Sequence, residues 1–337
     1  MFKPDYRITE HFLHYAEEIS AVSAKIAAKN INFSLVARLQ AEALEHNAHS
    51  STSIEGNSLS LTQASDLNRG KDVPADSKNK KEVANYFHAL RWIIKNPARV
   101  LDKSNLLKLH KLIVDGLLSR EKAGRLKIKQ NFIIDAKKIV VYTPPPPEDC
   151  PRLLKELLDW ANQPNKIHPI ILSAIFHHQL VTIHPFSDGN GRVARAAAQW
   201  LLYQKNFDQY HIIALDDFYA QDRDKYYAKI QQVRDLDYDF TYWIDYVAQG
   251  LLETIEKVYL RLSNLAHGVT GKITITPKQE KLIDLLGENG SLGSKELCRL
   301  LKINRARVNQ LITPLVKAKI IRKDGVARAT RYSLNRD

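Results

Sequence analysis

HPIILSAIFHHQLVTI-HPFSDGNGRVAR-AAAQWLLYQK, residues 168–205, decides how this chain is read. The first block is apolar nearly all round, as a helix buried at the centre of a helical domain would be. The last block resumes helical spacing. Between them, His184 to Arg195 place an imidazole, a carboxylate, two guanidiniums and a Gly-Asn-Gly cluster on one short turn. Packing alone has no use for such a set.

The physical reading of that turn is an anion site. A helix N-terminus presents unpaired N–H groups and the positive end of a dipole. Gly189 and Gly191 let a ligand approach the backbone, and Asn190 adds an amide. Arg192 and Arg195, three residues apart on one helical face, suit a second and a third phosphate. Asp188, acidic in a site built for anions, makes sense as a ligand to Mg²⁺ shared with those phosphates. His184 closes the preceding helix, where a neutral imidazole accepts a proton near pH 7. Together these residues describe phosphoryl-group chemistry on a nucleotide polyphosphate. His177 and His178, inside the buried block, read as packing residues, and no other His, Cys or acidic cluster has metal-site spacing.

Outward from the turn, most of the chain reads as helix: 31–51 (capped by Asn32 or Ser34), KEVANYFHALRWIIK, 104–119 (capped by Ser104), and the segments after 150. A polar stretch from Asn57 to Lys81, with Pro74, reads as a loop. RLKIKQNFIIDAKKIVVYT (125–143) alternates and is β-branched, a hairpin and the one sheet expected in the first 270 residues. Beyond a break at 266–276 come three short helices and a hairpin, with the spacing of a winged helix-turn-helix. The expected organisation is an N-terminal helical region (1–80), a core (81–265) and a C-terminal module (266–337).

The chain has 337 residues, 44% of them hydrophobic, and a formal charge of +13. Residues 271–337 hold 15 Lys and Arg against 6 Asp and Glu, so +9 sits in the last module and only +4 elsewhere. Arg305, Arg307, Asn309 and Gln310 on its third helix and Lys323, Arg328 and Arg331 in its wing suit DNA, although such modules also bind protein. Two distant cysteines argue against a disulfide framework. No signal sequence or membrane-length apolar run is visible, so a soluble, cytoplasmic protein is expected.

The turn resembles the Fic family motif, histidine-proline-phenylalanine-x-acidic-glycine-asparagine-glycine-arginine-x-x-arginine, at every fixed position. The flap-like hairpin, YTPPPP and the Tyr226-Tyr227 pair extend the resemblance over residues 80–245. It implies a mainly α fold with a β-hairpin flap, and a protein adenylyltransferase that moves AMP from Mg·ATP to a Ser, Thr or Tyr hydroxyl. In that scheme His184 is the general base and Asp188 binds Mg²⁺. Gly189, Asn190 and Gly191 cradle the developing charge, while Arg192 holds the phosphate tail and Arg195 the γ-phosphate. Phe186 plugs the loop into the core. Gly191 places the chain on the AMP-transferring side of the family. Of the tyrosines, Tyr227 is assigned to the adenine. The target would dock on an exposed strand edge in 131–141, and family members often form homodimers.

SSTSIEGN (50–57) reads by itself as a helix end, with Gly56 as C-cap. Glu55 is out of place there, because a carboxylate opposes the dipole at a helix C-terminus. The stretch resembles the family's inhibitory signature through Ser51, Glu55 and Gly56, which implies a pair between Glu55 and Arg195 that displaces the γ-phosphate. Removal of AMP by the same site, or an ATP-sensing DNA-binding regulator without transfer, are the competing readings.

Overall fold

A computed structural model of the chain describes residues 1–29, 33–134, 139–164, 167–268, 275–318, 320–325 and 330–335. In the first half lie α1 (Glu10–Ala28), α2 (Phe33–Ile54), α3 (Leu61–Asn68), α4 (Ser77–Ile94), α5 (Lys103–Ile113), β1 (Ile133–Ile134) and β2 (Val140–Tyr142). Next come α6 (Cys150–Ala161), α7 (Pro169–Ile183), α8 (Asn190–Gln204), α9 (Leu215–Gln221), α10 (Arg223–Asp235) and α11 (Thr241–Gly268). The chain finishes with α12 (Pro277–Asn289), β3 (Ser291–Gly293), α13 (Ser294–Leu301), α14 (Arg305–Lys317), β4 (Ile321–Asp324) and β5 (Arg331–Leu334). The fold is mainly α, as expected.

The apolar block becomes α7, the central rod. Pro169 starts it, where a missing N–H costs nothing, and the His168 ring accepts the N–H of Ile170. Its side chains from Ile170 to Phe176 are all buried, and it packs against α6, α8 and α11. Polar groups are satisfied across these contacts: Ser173 Oγ donates to the Ala198 carbonyl at 2.9 Å, and Trp243 Nε1 to that of Ala174 at 2.7 Å. One apolar cluster runs continuously from Phe12 on α1 to Leu262 on α11.

Several boundaries depart from the sequence reading. The stretch expected as a loop between Asn57 and Lys81 contains α3, started by a capping box in which Ser60 and Gln63 exchange hydrogen bonds. The same stretch holds the first turn of α4, capped by Asp76. Helix α5 is capped by Asp102 rather than Ser104, and it stops at Ile113. Ser34 falls inside α2, and Asn32 lies outside the described residues. Helix α9 was not anticipated.

The hairpin is present: β1 pairs antiparallel with β2, and its turn, 135–138, lies outside the described residues. Ile134, Ile139, Val140 and Val141 are exposed on it. At the C-terminus, α12 to α14 enclose a second apolar cluster with an antiparallel sheet in the order β3-β5-β4. Helix α11 runs to Gly268, into the expected boundary at 266–276, of which 269–274 lies outside the described residues. Ala37 and Ala41 of α2 belong to this second cluster, so α12 rests on α2. Arg331, expected to face phosphate, is engaged within the module while its side chain stays 43% exposed: Nε donates to Ser291 Oγ at 2.7 Å and Nη2 to the Ser291 carbonyl at 2.9 Å. Arg328 lies outside the described residues.

Candidate active site

His184 ends α7 in the left-handed region, φ 50°. That backbone is uncommon for a residue with a side chain and points to a constrained loop. Its Nδ1 lies 3.1 Å from the Val181 carbonyl, which can only accept, so Nδ1 carries the proton and Nε2 keeps its lone pair. Burial pushes the ring's pKa down to about 4, with Lys127 and Arg234 adding to the effect and the Val181 carbonyl and Glu55 opposing it. The imidazole is therefore neutral at pH 7.

The loop that follows is held from three sides. Phe186 is fully buried. Asn190 grips its backbone twice: Oδ1 accepts the Phe186 N–H and Nδ2 donates to its carbonyl, both at 2.9 Å. The Asn190 amide is thus engaged in shaping the loop. From the hairpin arm, the Lys127 N–H donates to the Pro185 carbonyl at 2.8 Å and Asn131 Nδ2 to that of Phe186 at 3.0 Å.

His110 of α5 supplies the third support, and nothing in the sequence marks it. Its ring stacks on Phe186 at 3.9 Å. Nδ1 accepts the Gly124 N–H at 3.0 Å, which leaves Nε2–H to donate to the Asp188 carbonyl at 3.1 Å. Burial lowers its pKa to about 4, so the neutral tautomer persists. His110→Phe should keep the stack and lose both ring hydrogen bonds, of which the one to the Asp188 carbonyl reaches the loop. Transfer is expected to fall roughly 10-fold, the size of one buried hydrogen bond, with the melting temperature changed by only a few degrees. Parallel rate and melting measurements check this, and an unchanged rate would remove His110 from the site.

Gly189 turns the chain at φ 78° and α8 begins. Val193 is the first residue of the turn to bond inside the helix, to the Gly189 carbonyl at 2.9 Å, so the N–H groups before it are those a ligand would meet. Arg192 and Arg195 follow, both buried. Nε and Nη1 of Arg192 have no hydrogen-bond partner among the described residues. Buried open donors at a helix N-terminus fit an anionic ligand. Asp188 is exposed, with Oδ1 accepting the Gly189 N–H at 2.6 Å. No group of three His, Cys, Asp or Glu with metal-site geometry occurs among the described residues. A single carboxylate suits Mg²⁺ that is held mainly by phosphates and water.

The sequence model of the Fic/DOC family matches residues 100–202, from just before α5 to near the end of α8. Residues 100–202 are a Fic domain. The chain is 29% identical over 243 residues to the protein adenylyltransferase Fic of Nematostella vectensis, covering 69% of this chain and 53% of that one. It is 28% identical over 239 residues to fic-1 of Caenorhabditis elegans, with 68% and 44% covered. It thus spans about half the length of these curated relatives. Among solved structures, a Fic family protein of Desulfovibrio desulfuricans G20 aligns over 99% of this chain and 98% of its own, with a TM-score of 0.68 at 23% identity, which speaks for the fold. Fic-1 of C. elegans aligns over 76% and 73%, with a TM-score of 0.64 at 26% identity.

Residues outside the matched segment reach Arg195. The end of α2 closes as a Schellman turn: the Gly56 N–H bonds the Ser53 carbonyl at 2.9 Å and the Asn57 N–H that of Thr52 at 3.1 Å, with Gly56 at φ 93°. This turn carries Glu55 onto Arg195, Oε1 to Nη2 at 2.8 Å. Ser51 takes the rest of the fork, its Oγ accepting Nε and its carbonyl accepting Nη2, each at 2.8 Å. Gly191 makes room for the pair, since a Cβ there would stand 2.3 Å from Glu55 Oε1.

The two tyrosines part company. Tyr226 is buried, its hydroxyl 3.0 Å from His177 Nε2 and 3.4 Å from Arg195 Nη1. Tyr227 is 39% exposed, with Arg223 over its ring and its hydroxyl donating to the Ile54 carbonyl at 3.4 Å. Of the pair, Tyr227 is the one that reaches the surface.

Proposed function

We propose that the chain is a protein adenylyltransferase held in an inhibited state by its own α2. The Glu55–Arg195 pair at 2.8 Å, set beside a neutral His184 whose Nε2 keeps its lone pair, carries this reading. The names of the relatives and the Fic domain support the reaction class. In the reaction, a Ser, Thr or Tyr hydroxyl of a protein target attacks the α-phosphorus of ATP. An O–P bond forms, the bond to the bridging oxygen of the β-phosphate breaks, and pyrophosphate leaves. The hydroxyl proton passes to His184 Nε2. The N–H groups at the start of α8 stabilise charge on the transferred phosphate, and Arg192 orients the chain of phosphates. Mg²⁺, held by Asp188, would neutralise the α- and β-phosphate oxygens. The exposed edge of the hairpin suits an extended target segment.

A carboxylate on Arg195 removes the charge that would hold the γ-phosphate and puts like charge in its place. The test incubates the full chain with Mg²⁺, a lysate and ATP labelled at the α- or the γ-phosphate. Protein-bound α-label without γ-label supports the reading. Loss of AMP from a pre-labelled target, without incorporation, would move the site to AMP removal.

We also infer that the C-terminal module meets duplex DNA. Helix α14 carries Arg305, Arg307, Asn309, Gln310 and Lys317 on its exposed side and has no acidic residue, whereas Glu280, Asp284 and Glu288 lie on α12, which packs on α2. Binding to a duplex should weaken with salt, and the double change Arg305→Ala, Arg307→Ala should reduce the log–log slope by about two. A slope that does not move would leave protein as the partner.

A further inference from the structure

Arg192 poses a physical problem. Its side chain is 4% exposed, yet Nε and Nη1 are without hydrogen-bond partners among the described residues. A buried guanidinium with open donors is costly unless a counter-charge holds it without saturating it. Two carboxylates face it. Asp188 Oδ1, on the solvent side, is 3.5 Å from Nη2. Glu82 Oε1 of α4, itself largely buried, is 3.7 Å from Nη1, too far for a hydrogen bond.

Something keeps Glu82 from closing that gap. Its Oε2 accepts a hydrogen bond from Asn57 Nδ2 at 2.9 Å. Asn57 is anchored on every side: Nδ2 also donates to the Asn79 carbonyl at 3.0 Å, and Oδ1 accepts the Leu59 N–H at 3.1 Å. Its own N–H closes the Schellman turn of α2. Asn57 therefore ties Glu82 to the turn that carries Glu55.

We propose that Asn57 is a positioning residue that holds the Glu82 carboxylate off Arg192 and so keeps the Arg192 donors open for a phosphate. The turn 55–57 then serves both arginines in opposite senses: Glu55 closes Arg195, while Asn57 keeps Arg192 available. An inhibited molecule built this way still binds nucleotide, through Arg192, without holding its γ-phosphate on Arg195. This rests on the nucleotide site proposed above.

The donor–acceptor pair can be reversed to test it. Asn57→Asp keeps the acceptor for the Leu59 N–H but loses the donor and repels Glu82 toward Arg192. Affinity for Mg·ATP, measured by calorimetry on the full chain, should fall about tenfold. In the Glu55→Gly background, KM for ATP should rise by a similar factor, with kcat changed less than about twofold. Adding Glu82→Gln supplies an amide that donates to the new carboxylate and removes the charge facing Arg192, so affinity should return to within about threefold of the parent. Asn57→Ser, uncharged and shorter, removes the same donor and serves if Asn57→Asp does not fold. An unchanged affinity in the single variant, or a loss that Glu82→Gln does not reverse, would overturn the proposal. Failure of the transfer reading would show differently, as absence of protein-bound label in every variant while the affinity series is unaffected.

Discussion

Glu55→Gly is expected to raise incorporation of α-label into protein by roughly 10- to 100-fold, the weight of one charge-assisted hydrogen bond that no longer has to be displaced. The geometry explains why removing one partner of a buried pair should activate the molecule and not collapse it. The Arg195 side chain is 1% exposed and would ordinarily suffer from losing its carboxylate. Here Ser51 accepts from both Nε and Nη2, and Tyr226 lies beside Nη1, so the fork keeps its direction when Glu55 is gone. Glu55 is the more exposed partner, 32% against 1%, and sits over Gly191 at the start of α8. Its departure uncovers the guanidinium and the helix N-terminus together. The helix end itself loses a carboxylate that its dipole opposes, and Gly56 still makes the turn. Wild type and variant would be compared at equal Mg·ATP with α-labelled nucleotide. Equal rates would rule out the switch.

His184→Ala in the Glu55→Gly background should lower the rate by about 10³-fold, the usual scale for a positioned general base, while the affinity for Mg·ATP changes less than about threefold. The split matters, because a residue that only shaped the loop would move both. The pH profile gives a second readout. With a pKa near 4, the imidazole stays unprotonated throughout the neutral range, so the rate should show no acidic limb attributable to His184 between pH 6 and 8. Activity that depends on the neutral form falls only as pH drops toward 4. A limb centred near 6.5 that disappears in His184→Ala would mean a solvated ring and contradict the buried geometry.

What the sequence determined by itself lies in runs where neighbours in the chain are neighbours in space. The end of α7 at His184, the glycine that starts α8, and two arginines one turn apart are all local consequences of residues 184–195. The mainly helical fold, the hairpin and the end of α2 at Gly56 came from periodicity and from residues with strong backbone preferences. Short helices were less legible. The α3 segment is polar enough to pass for a loop, and the reciprocal bonds of Ser60 and Gln63 stabilise its start.

Other features needed the tertiary structure, because they join elements that the chain does not place together. His110 fixes Asp188 across 78 residues, and Ser51 meets Arg195 across 144. The His110 contact has no local signature, since a lone histidine on a helix looks the same in any helix, and the motif that contains Ser51 does not by itself say which side chain Ser51 meets. The stretch 50–57 was visible by resemblance, but the pairing of Glu55 with Arg195 depends on α2 lying against the start of α8. The bond of Arg331 to Ser291 and the hydrogen bond between Asn57 and Glu82 are of the same kind. Charge and size are written in the sequence, whereas the partner that a buried donor finds is decided by how the helices pack.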